Sequence, residues 1–434
     1  MTALKQEPLA DLKALPAGPG ASVAWLGQAG FLVRQAGLTL VVDPYLSDSL
    51  AEKYRGTRFP HVRMMPAPVA PGDLTGVDWV LCTHGHTDHM DAGTLPGLLA
   101  ANPRARVVVP RAEVEKAASR GVPWERIVAI DAGETVDLGG VRCTATPAAH
   151  ETLERNAEGY FFLGYVLTGG GVTLWHSGDT IPFEGLVEWL RPLQVDLALL
   201  PVNGRDSERA ANGVPGNLTL DEAVAIADRI GARAMLGHHF GLFDFNTLDP
   251  EEGRARLASL RPQADVALVR LGCRYDIGPV TRKPISVLVV CRGNICRSPT
   301  AHGILRQALP EAFVDSAAIM DWNIGRPPHP ETIAVAAQRG VDLQGLVARQ
   351  IAASDFETFD LILAMDDENL TALEALRPAN ASAALGRLSA YGSPGALRSI
   401  PDPWGHDREF FEAVFDEIDA ACRRLSSLVN RRSS

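Results

Sequence analysis

Twice in 434 residues a short apolar strand runs straight into a loop crowded with reactive side chains. The first strand is VDWVLC, ending at Cys82 and followed by Thr83-His84-Gly85-His86-Thr87-Asp88-His89. The second is ISVLVV, ending at Val290 and followed by Cys291-Arg292-Gly293-Asn294-Ile295-Cys296-Arg297-Ser298. Continuous apolar runs of this kind suit strands buried on both faces of a sheet. Open α/β sheets bind ligands at the carboxyl ends of such strands. The chain must therefore build around two such sheets, which predicts an α/β protein of two domains. Its length agrees, since one domain takes about 100–200 residues.

The segments between fit this plan. FLVRQAGLTLVV reads as two strands closed by Gln35-Ala36-Gly37, a hairpin. LTLDEAVAIADRIG has the spacing of an amphipathic helix. The first 20 residues are polar and rich in Pro, Gly and Ala, and read as a flexible arm. Residues 21–278 then form the first domain, PVTRKP supplies a linker over 279–284, and 285–434 form the second.

Charge narrows the partners. Lys and Arg number 41 against 52 Asp and Glu, a net charge of −11. The chain lacks the broad basic footprint of a nucleic-acid binder. A small anionic or phosphorylated substrate stays compatible, because a pocket can be positive while the whole is negative. A phosphoprotein is a further candidate partner. The opening residues have no apolar h-region and no run approaches 18 apolar residues, so neither a leader nor a membrane span is expected. The six cysteines do not form a disulfide framework, and the expected compartment is the reducing cytoplasm.

The histidine loop is a metal-ligand pattern. His84 and His86, at alternate positions, can point at one ion, while Asp88 and His89 serve a neighbour. Nitrogen and oxygen donors of this kind suit zinc, manganese or iron, with zinc or manganese the expected pair. Further donors follow strand-like segments: His150 in TPAAHE, Asp179 in WHSGDT and His239 in GHHFGLF. In this order the set resembles the metallo-β-lactamase superfold, an αββα sandwich. The resemblance implies two divalent metal ions, the first held by His84, His86, His150 and Asp179. It implies the second on Asp88, His89, Asp179 and His239, with Asp179 bridging. His238 is the rival for the last place. His239 is preferred because the family's last ligand precedes an aromatic residue, here Phe240.

The stretch VAWLGQAGFLVRQAGLTLVVDPYLSDS is similar to the L-ascorbate-6-phosphate lactonase-like branch, with related openings in N-acylphosphatidylethanolamine-hydrolysing phospholipases. That implies hydrolysis of a small lactone or ester, with phosphodiesterase or phospholipase activity as the alternative. Two adjacent cations turn a bridging water into a nucleophile near neutral pH. Asp88 can shuttle its proton. Asn203 and Arg205, in a turn after LALLPV, are candidates for gripping an anionic substrate group.

The cysteine loop reads Cys291-x5-Arg297-Ser298. Ser298 suits a helix N-cap and Pro299 the first helical position. Backbone N–H groups of such a loop cradle an anion, and their field favours the Cys291 thiolate. Arg297 can clamp two phosphoryl oxygens. With VDSAAIMDWNIGRPPHP, LILAMDDEN and IPDPWGHD, the region 285–430 resembles low-molecular-weight protein-tyrosine phosphatases, a doubly wound parallel-sheet fold that needs no metal.

The resemblance implies Cys291 as nucleophile, Arg297 as transition-state clamp and Asp402 as general acid. Arg292, Gly293, Asn294, Ile295, Cys296 and Ser298 form the phosphate loop, and Trp322 and Trp404 wall the cleft. Arg292 replaces a small or apolar residue and favours a more anionic substrate. His302 replaces a Glu and points to altered surface recognition. Phosphoarginine phosphatases, a rival, carry Thr at the position of Ile295. A regulatory module that binds phosphate without turnover is a second rival. The fusion itself suggests that one site opens a phosphorylated lactone and the other removes the phosphate.

Overall fold

The computed structural model describes residues 3–12, 15–281, 283–379, 381–391 and 399–430. Residue contacts divide it into two compact units. One comprises 1–183 with 194–281, the other 184–193 with 282–434. The ten residues 184–193 thus belong with the second unit, although no composition shift marks them in the sequence.

The first unit is built on two sheets. The eight-stranded sheet runs in the order Leu4–Pro8, Cys273–Ile277, Ala21–Gly27, Gly30–Gln35, Leu38–Val42, Trp79–Leu81, Arg106–Pro110, Ile127–Ile130. The seven-stranded sheet runs Asp265–Leu268, Ala234–His238, Leu197–Pro201, Val172–His176, Leu163–Gly169, Arg142–Pro147, Thr135–Asp137. Buried polar contacts tie them together. The Gln35 amide donates to the carbonyls of Leu167, Gly169 and Val172. The Tyr165 hydroxyl donates to Cys82 O at 2.8 Å. The helices Leu95–Ala101 and Val114–Ser119 flank the first sheet, and Leu220–Ile230 and Pro250–Leu260 the second.

Local chemistry explains the elements. Gln35 pairs with Leu38, leaving Ala36 and Gly37 at φ 48° and 84°. Two positive φ values make the type I′ turn that matches strand twist. Leu220–Ile230 starts at a capping box, Thr219 with Glu222, and stops at Gly231 in the left-handed region, φ 71°. Its Leu220, Ala223, Val224, Ala227 and Ile230 are buried, one face at helical spacing.

The expected arm is not uniformly loose. Leu4–Pro8 pairs antiparallel with Cys273–Ile277, and Leu9 and Leu15 enter the core. An edge strand is held by its backbone ladder, so a polar sequence does not forbid one.

The second unit has a four-stranded, all-parallel sheet in the order Phe313–Ala318, Ser286–Cys291, Leu361–Ala364, Ala384–Arg387. Leu288, Val290, Ala317, Ile362 and Ala364 form its core with Phe356, Phe359 and Leu373. The chain leaves Ser286–Cys291 for the strand on one side and later returns on the other. That switch point leaves a crevice at the strand's carboxyl end, where Cys291 sits. Arg297–Ala308, Pro330–Gln338, Asp367–Leu376 and Arg408–Asn430 are its long helices. Among the described residues, no helix is long and apolar enough to cross a membrane.

Candidate metal centre and phosphatase loop

In the first unit, Trp79–Leu81 delivers the histidine loop to the carboxyl edge of its sheet. Three overlapping donor groups gather there: His84, His86 and His150; His84, His89 and Asp179; Asp88, His89 and His239. Ligand atoms within each group lie within 4.8 Å of one another. Asp179 sits between them, with its oxygens 3.3 Å from His89 Nε2, 3.2 Å from His239 Nε2 and 3.7 Å from His150 Nε2. All seven residues expected from the sequence therefore converge.

His239 rather than His238 reaches the cluster. It takes a left-handed φ of 65°, which turns its ring away from that of its neighbour. His238 instead stacks on His176 at 5.1 Å and meets the edge of Phe31. His176 is packed, bonded to Ala29 O at 2.8 Å.

The buried donors fit a cation. His84 Nε2, His89 Nε2, both ring nitrogens of His150, and Asp179 Oδ1 have no hydrogen-bond partner. Each neutral ring has one lone-pair nitrogen, and that buried acceptor, like the carboxylate oxygen, is costly to leave orphaned and would be satisfied by a metal ion. Burial pushes the imidazoles of His84 and His86 down, and that of His150 down to about 4. Such rings are neutral at physiological pH, which is the ligating form. Burial opposes ionisation of Asp179, but His239 and His89 outweigh it and hold the carboxyl well below the usual range.

Several supporting residues escaped the sequence reading. Asp43, fully buried and at φ 45°, lies 2.7 Å from His89 Nδ1. The same carboxylate accepts from Thr83 N and Thr83 Oγ1, both at 2.7 Å. Gln28 donates through Nε2 to Asp88 Oδ2 at 3.0 Å. Arg120 donates to His86 O and Met90 O, bracing the loop. A Cβ on Gly85 would stand 2.5 Å from Lys116 Nζ and 2.6 Å from the Glu113 carboxylate, so any larger residue displaces the tips of that ion pair. The available signal was a lone carboxylate at the end of the apolar run in VVDPY.

The pocket over this cluster holds about 550 Å³. Lys53, Arg58, Lys116 and Arg120 line it, together with Tyr54, Phe59, His61 and Phe243. Asn203 and Arg205 do not. Arg205 is held by both oxygens of Glu222, at 2.7 and 2.6 Å. Asn203 is buried between Asn246 and Asn217. The turn they occupy is stabilised internally, and its polar groups are already used.

In the second unit, Cys291 Sγ lies 3.2 Å from Asn294 N and 3.1 Å from Ser298 Oγ. Asn294, at φ 52°, donates through Nδ2 to Ser298 Oγ at 2.8 Å and accepts from Arg349 N. The helix begins at Arg297, with Cys296 at its cap and no side-chain capping bond. The expectation of a Ser298 cap is thus corrected: its hydroxyl is spent on Cys291 and Asn294. Pro299 remains in the first turn, where its missing N–H costs nothing.

Arg297 is buried and donates to Asp366 at 2.6 Å, Ile400 O at 2.9 Å and Asp402 at 2.9 Å. Its Nε has no partner. Burial opposes its charge, but Cys291, Asp402 and Asp366 outweigh that and raise it further. Asp366, absent from the sequence reading, also caps the helix Asp367–Leu376 by accepting from Asn369 N. Burial pushes the Cys296 thiol up to about 12.

A cleft of about 400 Å³ is lined by Cys291, Arg292, Gly293, Ile295, Cys296, Trp322, Asn323, Asp402 and Trp404. Asn323 donates to Gly293 O at 3.2 Å. The tryptophans are 56% and 66% exposed, so they stand as walls rather than core. His302 is buried and contacts Ser316 Oγ at 3.2 Å, which removes it from surface recognition.

Cys291, Arg297 and Asp402 thus meet around one loop of backbone N–H groups, an arrangement suited to holding an anion. The family profile described as low molecular weight phosphotyrosine protein phosphatase matches residues 286–434. The low molecular weight protein-tyrosine-phosphatase YfkJ of Bacillus subtilis is 36% identical over 153 residues, covering 34% of this chain and 97% of that protein. The low molecular weight phosphotyrosine protein phosphatase of Sus scrofa is 38% identical over 146 residues, covering 32% and 91%. The chain belongs, through this region, to the low molecular weight protein-tyrosine phosphatase family.

Residues 39–240 match the profile described as beta-lactamase superfamily domain, and the chain carries that hydrolase domain as its other half. A solved metallo hydrolase from the archaeon Ignicoccus hospitalis is 19% identical, covers 60% of this chain and 99% of that one, and has a TM-score of 0.44.

Proposed function

We propose that the protein is a bifunctional hydrolase. Its second unit cleaves aryl phosphomonoesters, phosphotyrosine among them, through a phosphocysteine. The observation that carries this is the approach of Asn294 N–H and Ser298 Oγ to Cys291 Sγ within 3.2 Å, with Arg297 and Asp402 at the same site. Both contacts stabilise a thiolate. Cys291 Sγ attacks phosphorus, the phosphorus–oxygen bond breaks, and Asp402 gives its proton to the leaving oxygen. Asp402 then takes a proton from water, which attacks the phosphocysteine and releases phosphate and the thiolate. Arg297 exchanges its carboxylate partners for equatorial phosphoryl oxygens as charge develops there.

The first unit hydrolyses a small lactone or ester carrying a negative group. Seven donors would hold two divalent ions, zinc or manganese: His84, His86, His150 and Asp179 for one, and Asp88, His89, Asp179 and His239 for the other. Such ions supply an ionised water and polarise the scissile oxygen. Asp88, oriented by Gln28, moves the proton. Asp43 fixes the His89 ring through Nδ1. Lys53 replaces Arg205 as the residue that receives the anionic group, since it lines the pocket, where Lys116 is already paired with Glu113. Turnover at Cys291 requires a free thiol, which suits a reducing compartment such as the cytoplasm.

Two assays test this. Release of p-nitrophenol from p-nitrophenyl phosphate should require Cys291, so Cys291→Ser abolishes it. Ring opening of L-ascorbate 6-phosphate and other sugar-phosphate lactones should require His86, so His86→Ala abolishes it. Phosphate release surviving Cys291→Ser would contradict the first half. Lactones surviving the wild-type enzyme would contradict the second.

A further inference from the structure

We infer that Arg292 makes the second unit selective for phosphotyrosine flanked by an acidic residue. This rests on the phosphatase reading above and extends it to the substrate's surroundings. Arg292 follows the nucleophile directly and lines the cleft, yet its side chain is exposed. Its guanidinium lies over the Trp322 ring, 5.3 Å from the centroid. Among the described residues no carboxylate pairs with it. Arg297, Arg349 and Arg387 are neutralised, by Asp366 and Asp402, by Asp315 and Asp355, and by Asp367 and Glu184 respectively, whereas Arg292 alone of the cleft-lining residues offers an unpaired cation among the described residues.

The stack is held in place from both ends. Met320 N donates to Arg292 O at 3.0 Å, and Asn323 Nδ2 to Gly293 O. The loop carrying Trp322 is thereby fastened to the phosphate loop. Stacking restricts the guanidinium at little cost and leaves its edge N–H groups open. The cleft that leads to Cys291 is lined by Trp322 and Trp404. What lies beside a phenyl ring bound there, outside the cleft, meets a held cation with free donors. A carboxylate one residue from the phosphotyrosine has the charge and planar fork to match it.

The test uses the full-length protein and three phosphotyrosine peptides of equal length, flanked by Glu, Ala or Lys, with p-nitrophenyl phosphate as reference. At low salt, kcat/KM should rank Glu above Ala above Lys, with about a threefold to fivefold step for an exposed pair. The steps should shrink in high salt. Arg292→Leu should collapse the Glu-to-Ala ratio to about one, and Arg292→Lys should keep part of it. Any general loss of turnover cancels in that ratio. An unchanged ratio in Arg292→Leu, with p-nitrophenyl phosphate still cleaved, overturns the Arg292 assignment alone. A wild-type enzyme that leaves p-nitrophenyl phosphate intact overturns the phosphatase reading and this inference with it.

Discussion

The two sites lack opposite things. Around Asp179 the buried atoms without hydrogen-bond partners include electron-pair donors: a carboxylate oxygen and, on each neutral ring of His84 and His150, one lone-pair nitrogen. Around Cys291, among the described residues, one buried group without a partner is an N–H, Arg297 Nε. One site is organised to receive cations and the other to receive an anion. The same contrast appears in single residues. Burial pushes both His150 and His302 down to about 4. His302 has a hydroxyl partner in Ser316, whereas neither nitrogen of His150 has one. Burial alone does not make a ligand, nor does an unpartnered nitrogen, since His238 has both and packs on His176 and Phe31; convergence with other donors is what sets His150 apart.

Four changes break or sharpen this contrast. The largest effect is expected from Cys291→Ser, which should lower p-nitrophenyl phosphate turnover by at least about a thousandfold and leave lactone hydrolysis intact. A parallel loss of both activities would show that the sites are not chemically separate. Next, Asp402→Asn should reduce kcat on phenyl phosphate by about 10²–10⁴-fold. The reduction should be smaller on p-nitrophenyl phosphate, whose leaving group needs less protonation. Equal losses on the two substrates would remove Asp402 from the proton step.

Third, Asp43→Asn should weaken metal affinity by about 10–100-fold, read by competition with a chromogenic chelator, with phosphatase turnover unaffected. An unchanged affinity would make Asp43 a packing residue only.

The smallest effect concerns His302. The unfolded chain protonates this ring near 6.5, the folded chain only near 4. Between those values the unfolded state binds more protons, so stability falls as pH drops through that window and is complete above it. The full span is worth at most about 3 kcal/mol. Urea midpoints at pH 7 and pH 5 should differ less in His302→Gln than in the wild type. Equal differences would refute the assignment.

The sequence carried the reactive residues well because each loop concentrates them. His84 through His89, and Cys291 through Ser298, are spaced by the chain itself. His150, Asp179 and His239 were legible through their order and their positions after strands. What stayed hidden is contact across the fold. Asp43 reaches His89 over 46 positions, and Asp366 reaches Arg297 over 69. A single buried carboxylate after an apolar run does not announce its partner. Arg205 misled for the converse reason, since a turn cation gives no sign that Glu222 already holds it. Leu4–Pro8 was missed because an edge strand is specified by backbone pairing with Cys273–Ile277, far along the chain.

The central claim is tested most directly by metal content and phosphatase rate measured on one preparation. Wild-type protein should carry about two divalent ions per chain, and stripping them with a chelator should leave p-nitrophenyl phosphate turnover unchanged. Cys291→Ser should keep both ions and lose the turnover. Protein that binds no divalent ion, or a phosphatase rate that falls with the metal, would contradict the account.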